Sequence, residues 1–166
     1  MLGCEASGKS TLIGVLVSGA KDNGQGLTRE YVHKHIQEIV HGKTTKIYHH
    51  IVGFNSNGEV TNLSRFLTMP EIIQDSAKII TFIDVGGNQR YAKTLMRGLC
   101  DHYPDYALIV VDALNCAQKN NKFEKSVLDN FRIAFQFQVP VVVVLSKIDA
   151  LWNQDVLEDI VYELRT

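Results

Sequence analysis

The stretch "MLGCEASGKST", Met1 to Thr11, decides the fold. Gly3 to Ser10 match the pattern G-x-x-x-x-G-K-[ST] of a phosphate-binding loop. In such a loop the backbone N–H groups of a Gly-rich turn and of a helix start bind phosphate oxygens. Lys9 reaches the β- and γ-phosphates, and the Ser10 hydroxyl ligates Mg²⁺. The continuation "GKSTLIGVLVSG" reads as the required helix. Leu12, Ile13, Val15 and Leu16 form its apolar side, and Gly19 is its stop. A buried strand normally delivers the loop. Only Met1 and Leu2 stand before it, so the first strand is expected to be mostly lacking.

Outward from the loop, three β-branched apolar runs stand out: "KIITFIDV", "YALIVVDAL" and "VPVVVVLSKID". Continuous rather than alternating hydrophobicity predicts strands covered on both faces. Helical patterns alternate with them, near 89–99, 123–137 and 156–164. Strand, helix, strand, helix predicts a parallel α/β sheet with right-handed crossovers. "KIYHHIVGF" and "GEVTNL" around "NSN" read as two strand segments and a turn. "MPEIIQDSA" reads as a short helix starting near Pro70, and a helical stretch is expected around 32–40.

The bulk numbers fit one domain. There are 166 residues, 45% of them hydrophobic and 21% charged, with a net charge of −1. No global basic field gathers nucleic acid. The apolar runs are too short to span a bilayer. Cys4, Cys100 and Cys116 show neither zinc nor disulfide spacing, so free thiols in a reducing compartment are expected. Cys4 reads as a small filler and the other two as structural. The six histidines read as solvated or locally bonded rather than metal-binding. Trp152 is expected to cap the core under the last helix.

In parallel α/β sheets the ligand lies at the carboxyl ends of the strands. Asp84, Asp112 and Asp149 follow the three apolar runs. Any one such Asp also reads as a helix N-cap or turn residue; their order makes the case. In "DVGG", Asp84 is expected to hold Mg²⁺ and Gly87 to offer an N–H to a γ-phosphate. In "SKID", the Asp149 carboxylate accepts from the N1–H and amino group of guanine, a pairing adenine does not offer. The Lys147 stem lies against the base plane, and Ser146 is a short brace. In "HGKTT", Thr44, with Thr45 as runner-up, is expected to complete the Mg²⁺ shell and sense the γ-phosphate; the plainer reading is two strand-edge threonines.

The order phosphate loop, Thr, D-x-x-G, S-K-x-D resembles the G domain of translation-factor GTPases. Within it the chain is similar to the GTP-binding protein one and two group, related to elongation factor one-alpha. "DNGQGLTR", "HKHIQEIVHGKTT", "VGFNSNGEVTN", "KIITFIDVGGNQRY" and "VPVVVVLSKID" carry that likeness across nearly the whole chain. The resemblance implies a P-loop NTPase G domain over residues 1–166, with a mostly parallel central sheet and helices on both faces. It also implies that the last strand and its base-contacting loop are lacking and that β-barrel domains lie beyond this chain. Gly3, Cys4, Glu5, Ala6, Ser7, Gly8, Lys9, Ser10 and Thr11 would hold the phosphates. Ser10, Thr44 and Asp84 would arrange Mg²⁺, and Ser146, Lys147 and Asp149 would read the base. Residues 21–45 and 84–99 would be the two switches.

The implied activity is hydrolysis of GTP to GDP and phosphate by a cytoplasmic, monomeric G domain. The implied partners are the ribosome and tRNA or the mRNA-decay machinery, without a membrane. Three positions depart from the pattern. Glu5 adds a carboxylate beside the phosphates, and Ala6 lacks the usual Asp. Asn88 stands where translation GTPases place a water-positioning His; Gln89 would replace it after a register shift. These departures keep open a guanine-nucleotide switch with little hydrolysis. A P-loop ATPase or kinase is the more distant alternative.

Overall fold

The computed structural model describes residues 1–33, 44, 46–63, 68–87, 92–120 and 122–165, and for residues 63 and 92–95 the backbone alone. It forms two compact units: Met1–Gly8 with Gly87–Thr166, and Lys9–Gly86.

The first unit holds a three-stranded parallel sheet in the order β1-β4-β5, with β1 Leu2–Gly3, β4 Ala107–Asp112 and β5 Val141–Ser146. Leu2 pairs with Ile109 and Gly3 with Val110, so the first strand is a two-residue stub in register with β4. β4 pairs with β5 from Ala107↔Val141 to Asp112↔Ser146. The core centres on β4, where Ile109 and Val110 are fully buried and Val111 nearly so. Helices α3 (Ala92–His102), α4 (Ala113–Gln118), α5 (Lys125–Gln136) and α6 (Gln154–Arg165) follow the strands. Val127, Ala134 and Ile160 turn inward from α5 and α6, as their amphipathic spacing requires. The segment "DAL", read as the end of a strand, instead turns into α4. Asp112 ends β4, and its side chain accepts from Asn115 N at 3.1 Å, capping the helix.

The second unit is built on α1 (Lys9–Ser18), β2 (Tyr48–Phe54), α2 (Met69–Asp75) and β3 (Lys78–Asp84). Gly19 stops α1 as expected, its N–H donating to Val15 O at 2.8 Å. α2 begins with a capping box between Thr68 and Glu71, with Pro70 in its first turn.

Two expectations are corrected here. β3 was expected with the parallel strands, but its hydrogen-bonding partner is β2, antiparallel from Tyr48↔Asp84 to Phe54↔Lys78. The residues at its start, Lys78 to Thr81, are exposed rather than covered on both faces. The segment "GEVTNL" is not a strand; Phe54↔Val60 is an isolated bridge, and Thr61–Leu63 is a 3-10 turn. Asn62 gives the reason. Its side chain donates to Ile51 O at 2.8 Å and accepts from Gly53 N at 2.8 Å. One carboxamide thus satisfies the β2 backbone groups that a second strand would have paired.

The turn from β2 is organised by Asn55, whose side chain accepts from Asn57 N and Glu59 N, while Gly58 N donates to Asn55 O at 3.0 Å. "DNGQGLTR" is built the same way. Asp22 Oδ2 accepts from Gly24 N at 2.9 Å, and Asp22 Oδ1 accepts from Thr28 N at 3.0 Å and Thr28 Oγ1 at 2.9 Å. This Asx-type bonding winds Leu27–Tyr31 into a 3-10 turn that the sequence pattern did not announce. Thr28, fully buried, sits directly on α1: a Cβ at Gly14 would lie 2.2 Å from Thr28 O. The helix expected at 32–40 lies mostly outside the described residues.

Trp152 is 66% exposed and is not a core cap. Cys100 is exposed rather than structural, whereas Cys116 is buried; none of the three cysteines is in a disulfide. His33 and His50 are buried, which leaves local bonding, not solvation, as the part of the expectation that applies to them. No grouping of three metal-ligating side chains occurs among the described residues, and no described helix is long and apolar enough to cross a membrane.

Candidate functional site

The sequence-predicted residues fall in two groups, one in each unit. In the first unit the loop leaves β1 at Gly3, where space admits no side chain: a Cβ would lie 2.4 Å from Val110 O and 2.9 Å from Ser7 Oγ. Ser7 N donates to Cys4 O at 3.3 Å, turning the chain back. Ala6 takes the left-handed conformation, φ 60, that this turn requires. Glu5 is exposed, so its carboxylate has water available rather than being buried among the loop amides. Cys4 Sγ hydrogen-bonds Ser126 Oγ at 3.0 Å, more than the filler role expected of it. The buried Ser7 hydroxyl has no partner among the described residues.

The base-reading segment touches this loop. Ser146 Oγ donates to Ser7 O at 2.7 Å, with Val111 O at 3.2 Å as a second acceptor. The side chain expected to be a weak brace thus ties the end of β5 to both the loop and β4. Lys147 has a left-handed backbone, φ 58, and caps the 3-10 turn Ile148–Ala150. Its ammonium pairs with Asp112 Oδ2 at 2.5 Å. Asp149 lies in that turn with its side chain exposed. Sequence reading missed the part of Asp112. It identified a strand-end Asp and a cap, but the Lys147 partner follows only from the β4–β5 register. Gly87 is half-buried, while Asn88 and Gln89 lie outside the described residues.

In the second unit, Lys9 opens α1 and is buried. Ser10 Oγ donates to Asp84 Oδ2 at 2.9 Å and lies 2.9 Å from Thr44 Oγ1, which itself approaches Asp84 Oδ2 at 3.4 Å. Ser10, Thr44 and Asp84, separated by 34 and 40 positions, therefore converge. Thr45 lies outside the described residues, and Thr11 is half-buried on α1. Asp84 is fully buried at the end of β3, and its Oδ1 has no hydrogen-bond partner among the described residues. A buried carboxylate oxygen without a donor is costly. A divalent cation is the chemistry it suits. The Ser10 hydroxyl fits as well: with its one proton given to Asp84, only lone pairs remain for a ligand. Three hard oxygens of this kind match Mg²⁺.

Electrostatics elsewhere in the loops is local. The Thr28 N–H is the main cause holding the Asp22 carboxyl below its ordinary value. Burial, with Asp112 nearby, pushes the Cys116 thiol up to about 11.

Residues 2–166 match the family model for the elongation factor Tu GTP binding domain. The chain belongs to that family. This G domain is therefore one of the GTP-binding, translation-factor-like GTPases. It is 42% identical over 149 residues to GTP-binding protein 2 of Homo sapiens, a match covering 90% of the domain and 24% of that protein. GTP-binding protein 1 of Xenopus laevis is 37% identical over 147 residues, covering 86% and 22%. Among solved structures, a bacterial selenocysteine-specific elongation factor superimposes with a TM-score of 0.65 at 20% identity, covering 98% of this G domain and 22% of that chain. The fold is thereby that of a translation-factor G domain. The chain spans about a quarter of the length of these curated relatives.

Proposed function

We propose that this chain hydrolyses GTP to GDP and phosphate as a translation-factor-like GTPase acting in translation or mRNA turnover. The observation that supports this most is the convergence of Ser10 and Thr44 on buried Asp84, whose second oxygen has no partner among the described residues. Ser10, Thr44 and Asp84 would hold Mg²⁺, which when bound neutralises charge on the β- and γ-phosphates. Gly3 to Thr11 cradle the phosphates with backbone N–H groups, and Lys9 places its charge there. Asp149 accepts from guanine, and Lys147 and Ser146 set the geometry of that turn. Water attacks the γ-phosphorus, and the bond to the β–γ bridging oxygen breaks. Asn88, or Gln89, orients the water. The ribosome and tRNA or the mRNA-decay machinery are the partners this reading implies.

One second reading has a sequence observation in its favour. Asn88 stands where the resemblance to translation GTPases implies a His. A side chain that is shorter and never cationic orients water less well, which favours a guanine-nucleotide switch with little turnover. Single-turnover GTP cleavage, with and without ribosomes and with ATP as control, separates the two. Ribosome-stimulated cleavage of GTP alone supports the enzyme. Tight GTP binding without turnover supports the switch, and Asn88→His would then raise the rate. Absence of guanine-nucleotide binding refutes both.

A further inference from the structure

We infer that Asp112 is a positioning residue for guanine recognition, holding Lys147 in the orientation the base requires; this rests on the guanine-nucleotide reading above. The β4–β5 ladder sets Asp112 opposite Ser146, so the next residue along β5 is carried to the carboxylate by register. Asp112 is fixed from its other side. Its Oδ1 accepts from Asn115 N at 3.1 Å at the start of α4, and its Oδ2 pairs with Lys147 Nζ. With one oxygen held by the helix, the other presents a defined acceptor.

Lys147 needs such an acceptor. Its backbone is left-handed, φ 58, a conformation that a non-glycine residue holds only when its surroundings enforce it. Its stem is four methylenes long and flexible. A lysine free to sweep through its rotamers would have to be ordered when the base arrives. The Asp112 pair does that ordering beforehand and lays the stem along a fixed path. The pair is part-exposed, with side chains 39% and 16% accessible. Its contribution is therefore to orientation more than to the stability of the fold. Ser146 works in parallel. Its bond to Ser7 O fixes the backbone from which Lys147 projects, while Asp112 fixes the side chain.

The test is a titration of the full chain with a fluorescent GDP analogue, comparing wild type, Asp112→Asn, Lys147→Met and the double variant. Asn keeps the cap on α4 but removes the charge. Asp112→Ser caps equally and is too short to reach Lys147, so it serves as an independent check. Asp112→Asn and Asp112→Ser are expected to weaken binding about fivefold, the size of a partly exposed charge-assisted bond. The double variant is expected to bind like Lys147→Met alone, because Asp112 acts through Lys147. Melting temperature without nucleotide is expected to stay at the wild-type value for both single Asp112 variants. An unchanged or tighter dissociation constant overturns the inference. So does a loss that persists undiminished on the Lys147→Met background or follows a lowered melting temperature. If wild type itself does not bind the analogue, the guanine reading fails, and this inference with it.

Discussion

Gly14→Ala tests the packing of the "DNGQGLTR" turn on α1. The substitution has two opposed effects. Alanine is the better helix former, which favours the variant by about 1 kcal/mol. Against this, the new methyl would lie 2.2 Å from Thr28 O, 2.6 Å from Thr28 C and 3.0 Å from Thr28 Cβ. The first of these falls about 1 Å inside ordinary contact, and the obstacle is backbone rather than a movable side-chain tip. Thr28 cannot retreat cheaply. It is fully buried, and Asp22 Oδ1 holds its N–H and its hydroxyl at 3.0 and 2.9 Å. Overpacking of this kind costs about 1–3 kcal/mol, and each strained hydrogen bond about 1 more. The net expectation is a loss of about 2 kcal/mol, or a melting temperature lowered by about 4–8 °C. Thermal unfolding followed by circular dichroism reads the total. Hydrogen exchange at the Thr28 amide locates it, since protection there should fall first. An unchanged or raised melting temperature would mean that helix propensity wins, and that the turn is not seated on α1 as described.

Three further outcomes are expected. Iodoacetamide at neutral pH should alkylate exposed Cys100 and spare Cys116, whose thiol titrates only near 11; peptide mass spectrometry of the native chain reads both sites. Because the folded-state pKa of Asp22 lies below its ordinary 3.8, its stabilising effect is present above that value and is lost as pH falls through the lower one. Asp22→Asn should remove that part of the acid dependence and lower stability at neutral pH, as measured by urea midpoints across pH. Ile109→Ala, at the fully buried centre of β4, should cost about 2–5 kcal/mol in urea unfolding; a cost below 1 kcal/mol would contradict the placement of the core there.

Much of the candidate site was legible because the patterns that suggest it are local. Gly3 to Ser10 need particular residues at fixed spacing. The same holds for Asp84 at a strand end and for Ser146 to Asp149. Periodicity likewise marked α5 and α6, whose apolar spacing reports a buried face directly, whereas on α1 only Ile13 of the expected apolar side is buried and Leu16 is exposed. The elements that escaped are those decided by one side chain acting at a distance. Asn62 supplies amide groups in place of a strand, which no alternation pattern records. Asp22 winds the 3-10 turn through bonds to Thr28. β3 is β-branched and apolar in part, yet its described partner is antiparallel and its first residues are exposed, because composition reports neither strand direction nor burial. Asp112 was legible as a cap but not as the partner of Lys147, since that contact is a matter of strand register. Trp152 was read inward because large aromatic rings usually are, but the turn that carries it leaves the ring in solvent.

The two Asx-organised turns also bear on how the protein ages. Asn23 and Asn57 are each followed by glycine, the sequence in which an asparagine most readily cyclises to a succinimide and deamidates. That reaction requires the glycine nitrogen to leave its hydrogen bond and attack the carboxamide. In the folded chain, Gly24 N–H is held by Asp22 Oδ2 and Gly58 N–H by Asn55 O. The bonds that shape the turns thereby guard the two most perishable peptide links. Deamidation at Asn23 and Asn57 should then accumulate with time spent unfolded, so its extent in a stored sample becomes a chemical record of how often each turn has opened.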